Sequence, residues 1–240
     1  MEDTETFPSQ NSNVKWIPLS ITAEYPEGDV IGKLLAFSSM LPHALIVSFI
    51  TLILFRRDLH TISYLVGLVL NEGVNYVLKN TLRQGRPIVR PSLLHEYGMP
   101  SSHSQFMWFF TTYMFLFIWV RLRHIRETNT AWVWIWKTAI SLACLVTSII
   151  VAGSRIYLQY HTVSQVIVGA LLGSVLGVLW FLIAQFALTP WFPTVASWRL
   201  CEWLLGRDQT LIPNVIWFEY TSHRHESKHR SRKLVSMKSQ

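Results

Sequence analysis

The sequence predicts an all-α, polytopic membrane bundle of about five (four to six) transmembrane helices. Three observations carry this. Half of the residues are hydrophobic and only 15% are charged, against about a quarter in a typical soluble domain. The shortfall is concentrated in long uncharged runs rather than spread along the chain. The basic residues flank those runs, where membrane topology places them. The formal net charge of +7 therefore does not mark a nucleic-acid surface, which would need a basic stripe on a polar domain.

The elements follow in order. Residues 1–29 carry Glu2, Asp3, Glu5, Glu24, Glu27 and Asp29 against Lys15 alone, and read as an acidic, poorly ordered arm. No basic stretch precedes the first apolar run, so the arm does not read as a cleaved signal peptide. Residues 34–55 are uncharged and long enough for one span, with a kink expected at Pro42. Residues 59–78 form the second span and include Asn71, Glu72 and Asn75. Glu72, Asn75, Tyr76 and Lys79 are spaced to share one helix face. That face either bonds a neighbouring helix or supports a site beginning at Lys79. Residues 80–102 are polar, with Gly85, Pro87, Pro91 and Pro100 as loop punctuation.

The third span is 104–120, followed by a basic turn with Arg121, Arg123 and Arg126. The fourth is 131–153. It opens on Trp132, Trp134 and Trp136, which suit an interfacial belt, and its Lys137 is expected to snorkel. Residues 154–161 read as a polar turn. The fifth span is 162–187, where Gly169, Gly173 and Gly177 recur every four residues as a close-approach seam. The rest, 188–240, reads as an interfacial stretch rich in Trp and then a basic, disordered cytoplasmic tail. The chain thus divides into the arm (1–29), a membrane-embedded body (30–187) and the tail (188–240). It shows no internal repeat and no separate soluble domain. Cys144 falls in a span and Cys201 in the tail, so neither a disulfide between them nor a zinc site is expected.

Counting crossings puts the 79–103 loop and the 154–161 turn on one side of the membrane. The acidic arm falls on that side too. The basic segments at 56–60, 121–130 and the tail fall on the other, which the positive-inside tendency makes cytoplasmic. The two polar stretches then face the exoplasmic side.

Those stretches hold three clusters: Lys79 with Arg86 and Pro87, then Pro100-Ser101-Ser102-His103, then Ser154-Arg155 with His161. Each alone has an ordinary explanation. A Lys or Arg at a span end anchors at the interface, and a lone His there serves packing. Together they supply three cations, small hydroxyl residues at a helix start and two histidines. Arg grips phosphate oxygens in pairs and Lys adds a point charge. A helix N-terminus attracts anions. Two histidines can divide nucleophilic and acid–base work. No carboxylate cluster stands ready for Mg²⁺, so no metal or other cofactor is expected and the cations must stabilise charge.

Lys-x6-Arg-Pro, Pro-Ser-x-His and Ser-Arg-x5-His in combination resemble the signature motifs of the type 2 phosphatidic acid phosphatase superfamily, which groups membrane lipid phosphatases with soluble acid phosphatases. The text around them (71–75, 97–110, 154–166, 211–220) resembles the dolichyldiphosphatase family within it. The resemblance implies a lipid substrate in the bilayer, dolichyl diphosphate, the carrier released by protein N-glycosylation. It implies residence in the endoplasmic reticulum membrane, with the site facing the lumen.

It also implies roles. His161 attacks phosphorus and becomes phosphohistidine. His103 protonates the leaving oxygen and then activates water. Lys79, Arg86 and Arg155 hold the phosphoryl oxygens, and Ser101 adds a hydrogen bond beside Ser102. Ser102 stands where the superfamily usually has Gly, a small-for-small change. Gln165 stands where it commonly has an Asp that orients the nucleophile. One helical turn separates Gln165 from His161, so its amide oxygen can reach the ring. Glu72 is expected to support the site through an intermediary. The competing readings are a phosphatase for phosphatidate-type or other isoprenoid phosphates, and a non-catalytic lipid-phosphate binder or transporter.

Overall fold

The computed structural model describes residues 16–20, 23–88, 97–124, 130–209 and 215–238. Residues 1–15 of the arm, Pro91, Arg126 and the start of the 211–220 segment lie outside the described residues. The chain is mostly helical. Strands β1 (Trp16–Ser20) and β2 (Ala23–Pro26) pair antiparallel. Helices follow at α1 (Val30–Ser38), α2 (Leu41–Arg56), α3 (Leu59–Leu82), α4 (Ser102–Trp119), α5 (Thr130–Tyr157) and α6 (Val163–Leu182). Short helices α7 (Phe192–Ala196) and α8 (Arg199–Trp203) lead to α9 (Val215–Lys238).

Among the described residues, three stretches are long and apolar enough to cross a membrane: Val30–Arg56, Ala131–Tyr157 and Val163–Ala196. Helices α3 and α4 are more polar because they hold a buried amide cluster between them. Gln105 Nε2 donates to Asn71 Oδ1 (3.0 Å) and to the Asn71 carbonyl (2.9 Å). Asn75 Nδ2 donates to Gln105 Oε1 at 2.7 Å. All three side chains are buried, and in a low-dielectric interior such groups hold a helix pair in one register only if bonded. So the α3 face expected to run through Asn75 and Tyr76 divides: Asn75 packs on α4, and Tyr76 is exposed.

An aromatic core lies beside this cluster. Phe49, Tyr64, Phe109, Phe110, Tyr113 and Phe181 bring α2, α3, α4 and α6 together, and Tyr64 donates to the Phe110 carbonyl at 2.7 Å. Helix α6 lies against α4 along its glycine seam. A Cβ on Gly169 would sit 2.7 Å from the Ser101 carbonyl oxygen, and one on Gly173 would collide with the Gln105 main chain. Gly173→Ala is therefore expected to lose about 1–3 kcal/mol through overpacking. A thermal-unfolding midpoint in detergent equal to wild type would show that the seam yields freely.

Several expectations need correction. The first apolar run is two helices, broken at Ser39 and Met40, with Pro42 in the first turn of α2. Pro can start a helix but cannot continue one, because its N–H is missing. The arm is not wholly irregular: Ala23 packs with Ala36, Leu158 and Tyr160, and Tyr160 Oη accepts from the Glu24 N–H at 2.7 Å. This seats the hairpin on the turn after α5.

Ser154 and Arg155 lie in the last turn of α5 rather than in a loop. Lys137 does not snorkel. It is buried and donates to the Leu122 carbonyl at 2.9 Å. The basic tail is helical as α9, tethered at its start by Glu219 to Arg56 (3.5 Å) and Arg207 (3.6 Å). Further along, the Glu226–Arg230 pair supports the exposed helix. Residues 56–59, 207 and 219 thus gather at one end of the bundle, and the polar clusters gather at the other.

Candidate active site

Each cluster arrives from a helix end. Lys79 is in the last turn of α3. The helix stops at Arg83 in the left-handed region (φ 48°), whose N–H bonds the Lys79 carbonyl. The chain then turns, so that Gln84 accepts from the Gly98 N–H at 2.7 Å. This pairs the 84–86 segment with the one that leads into α4. Ser101 is the N-cap of α4, and its N–H donates to the Gln165 carbonyl at 3.2 Å. Its buried Oγ has no hydrogen-bond partner among the described residues. Ser102 and His103 occupy the first turn, where helical N–H groups are left over for an anion.

The third cluster is a tight reversal. After α5 the Arg155 carbonyl accepts from the N–H groups of Tyr160 (3.0 Å) and His161 (3.2 Å). Gln159 takes the left-handed conformation (φ 56°). Thr162 then starts α6 in a capping box with Gln165. His161 is held buried between the two helices.

The His161 ring has a defined tautomer. Its Nδ1 lies 2.8 Å from the Gly98 carbonyl oxygen and 3.2 Å from Gln165 Oε1. Both partners are acceptors, so Nδ1 carries the hydrogen and Nε2 keeps its lone pair. Burial, then the nearby charges of Arg86, Arg155 and Lys79, push its pKa from 6.5 down to about 3. The ring is thus neutral, as a nucleophile must be, at ordinary pH.

Arg155 joins the two histidines. Its Nη2 is 2.5 Å from His103 Nε2. Guanidinium is always a donor, so that nitrogen accepts here. The same guanidinium lies over the Tyr160 ring, 4.7 Å from its centroid. Lys79, Arg155 and His161 all lie within electrostatic range of His103. Lys79, Arg86, His103, Arg155 and His161 are therefore brought together, with Ser101 and Ser102 at the adjoining helix start.

The two supporting residues separate. Gln165 touches His161 directly, and its Nε2 also donates to the Gly85 carbonyl (2.9 Å) and to Gln84 Oε1 (3.2 Å). It therefore ties His161 to the segment carrying Arg86. Glu72 is close enough to Lys79 to interact electrostatically and is not a hydrogen-bond partner of the His161 ring.

Sequence reasoning missed Gly98. Its carbonyl is the nearer of the two acceptors on His161 Nδ1. A Cβ there would lie 2.7 Å from Gln165 Nε2 and 2.9 Å from the Gly85 carbonyl, so only glycine fits. A main-chain acceptor leaves no side-chain signature. Gln105 was also missed, because an amide does not interrupt the uncharged run 104–120.

Comparison with known proteins identifies the family. A profile of the PAP2 superfamily matches residues 60–188, the stretch that contains every site residue above, and the chain belongs to that superfamily. Among its relatives, Dolichyldiphosphatase 1 of Rhinolophus ferrumequinum is 50% identical over 91% of this chain and 93% of its own. The Homo sapiens Dolichyldiphosphatase 1 is 49% identical with the same coverage. The Saccharomyces cerevisiae Dolichyldiphosphatase is 32% identical over 83% of this chain and 84% of its own. The crystal structure of a transmembrane PAP2-type phosphatidylglycerolphosphate phosphatase from Bacillus subtilis shares the fold. Its TM-score is 0.52 at 20% identity, covering 65% of this chain and 78% of that one.

Proposed function

We propose that this protein hydrolyses dolichyl diphosphate to dolichyl phosphate and inorganic phosphate in the endoplasmic reticulum membrane, with its site facing the lumen, and so returns the lipid carrier of N-glycosylation to use. The observation that carries the reading is His161: a buried imidazole with a free Nε2, set among three cations and beside a second histidine. A binding protein would need the cations but not a nucleophile held in one tautomer. The relatives named dolichyldiphosphatase favour the diphosphate substrate over phosphatidate.

In this reading Lys79, Arg86 and Arg155 hold the terminal phosphoryl group, helped by Ser101, Ser102 and the N–H groups opening α4. His161 Nε2 attacks phosphorus. The bond to the bridging oxygen breaks, and His103 gives that oxygen a proton. His103 then takes a proton from water, which attacks the phosphohistidine and releases phosphate. Gln165 and the Gly98 carbonyl keep the His161 ring aimed throughout, and Glu72 supports Lys79 from one face of α3. Charge is stabilised by side chains, without a metal ion. The luminal orientation is favoured by the gathering of Arg56, Arg57 and Arg207 at the opposite end of the bundle.

The test is turnover of labelled dolichyl diphosphate, dolichyl phosphate and phosphatidate by the full chain in vesicles, each with and without a chelator. We expect dolichyl diphosphate to be cleaved fastest and the chelator to have no effect. Preference for phosphatidate would replace the substrate. Loss of activity on chelation would overturn the metal-free mechanism, and absence of any turnover would make the protein a binder.

A further inference from the structure

We infer that His43 forms a subsite for the second phosphate of the substrate, the one that stays on the lipid. The inference rests on the diphosphatase reading above and deepens it. His43 is the one ionisable side chain in the apolar run 34–55. Such a group is costly in a membrane segment and needs a polar task there. Its side chain is exposed rather than packed into the core. Its ring centroid lies 6.0 Å from that of His103, with the ring planes 60° apart. Helix α2 brings it there, an element that supplies none of the other site residues.

The placement matches one part of the reaction. In an in-line displacement the attacking and leaving atoms lie on opposite sides of phosphorus. With His161 attacking, the lipid phosphate lies beyond the transferred group, beside His103. The groups acting on His161 are Arg86, Arg155 and Lys79. His43 instead neighbours His103, ring centroid to ring centroid at 6.0 Å, which sets His43 on the leaving-group side. As the bond between the terminal phosphorus and the bridging oxygen breaks, its electron pair stays on that oxygen, which takes the proton of His103. The His161 Nε2–phosphorus bond forms in its place. His43 donates a ring N–H to a non-bridging oxygen of the departing lipid phosphate and is itself unchanged. A monophosphate ester offers only an alkyl or acylglycerol group at that position. His43 therefore distinguishes diphosphate from monophosphate lipids.

The test uses inorganic pyrophosphate and inorganic phosphate as probes, titrated against the full-length protein in detergent and read by thermal shift, which needs no turnover. His43→Leu removes the donor and suits an apolar helix. It is expected to weaken pyrophosphate about tenfold while leaving phosphate within about twofold, the size of one hydrogen bond to a charged group. His43→Gln, which keeps an N–H donor, is expected to recover part of the loss. In turnover, His43→Leu is expected to lower kcat/KM for dolichyl diphosphate by the same tenfold. Equal weakening of both anions, or of neither, would overturn the subsite. Failure of the wild type to cleave dolichyl diphosphate counts against the diphosphatase reading instead, because the pyrophosphate-to-phosphate ratio is measured independently.

Discussion

His161→Ala is expected to lower turnover roughly 10⁴-fold or more and to leave no trace of a phosphoenzyme. The same label, carried on the terminal phosphate, should mark His103→Ala differently. The leaving group of a diphosphate lipid is itself a phosphate, whose second pKa is about 6. It departs without much help from an acid. Water does not attack phosphohistidine so readily, and the second step needs His103 as base. His103→Ala should therefore lose roughly 10²–10⁴-fold in steady-state rate while accumulating labelled protein that is stable to base and labile to acid. An alkyl-phosphate substrate would behave otherwise, since an alkoxide is a poor leaving group and His103 is needed in the first step. Rapid quench of both variants reads this directly. Wild-type turnover by His161→Ala, or labelled protein in that variant, would remove His161 as nucleophile.

The helices were legible because burial in a membrane writes itself as long uncharged runs. The cluster of cations and histidines was legible because such groups are costly anywhere else in such a chain. What the sequence hid were main-chain and register effects. Pro42 marks the break locally, but the Ser39 hydroxyl there also meets Ser154 Oγ at 3.0 Å, a tertiary contact no local rule contains. The hairpin at 16–26 depends on Tyr160 and Leu158, more than a hundred residues away. Gly98 orients His161 with a carbonyl that every residue possesses, so only the crowding around its Cα marks it. Gln165 was recognised as a departure from the superfamily, but its second role was not. With one amide it both accepts from His161 and donates to the Gln84–Gly85 segment, which a carboxylate could not do.

Arg155 is the residue whose loss should reach furthest beyond its own charge. Its main-chain carbonyl closes the turn that presents His161, and its guanidinium contacts His103 while lying over Tyr160. Substitution leaves the main-chain bonds in place, so the turn should survive and the side-chain role can be isolated. Arg155→Ala removes one cation and the contact that fixes His103, and roughly 10²–10³-fold should be lost from kcat, the scale of one preorganised donor aimed at developing charge. Arg155→Lys keeps the charge but not the planar fork, so it cannot reach His103 and a phosphoryl oxygen with one rigid group. If the charge alone mattered, Lys would restore most of the rate. We expect it to restore KM more than kcat, because the lost geometry is needed in the transition state rather than for binding. Thermal midpoints near wild type for Arg155→Lys would exclude misfolding as the cause, and near-wild-type kcat in either variant would show that the link between the two histidines is not used.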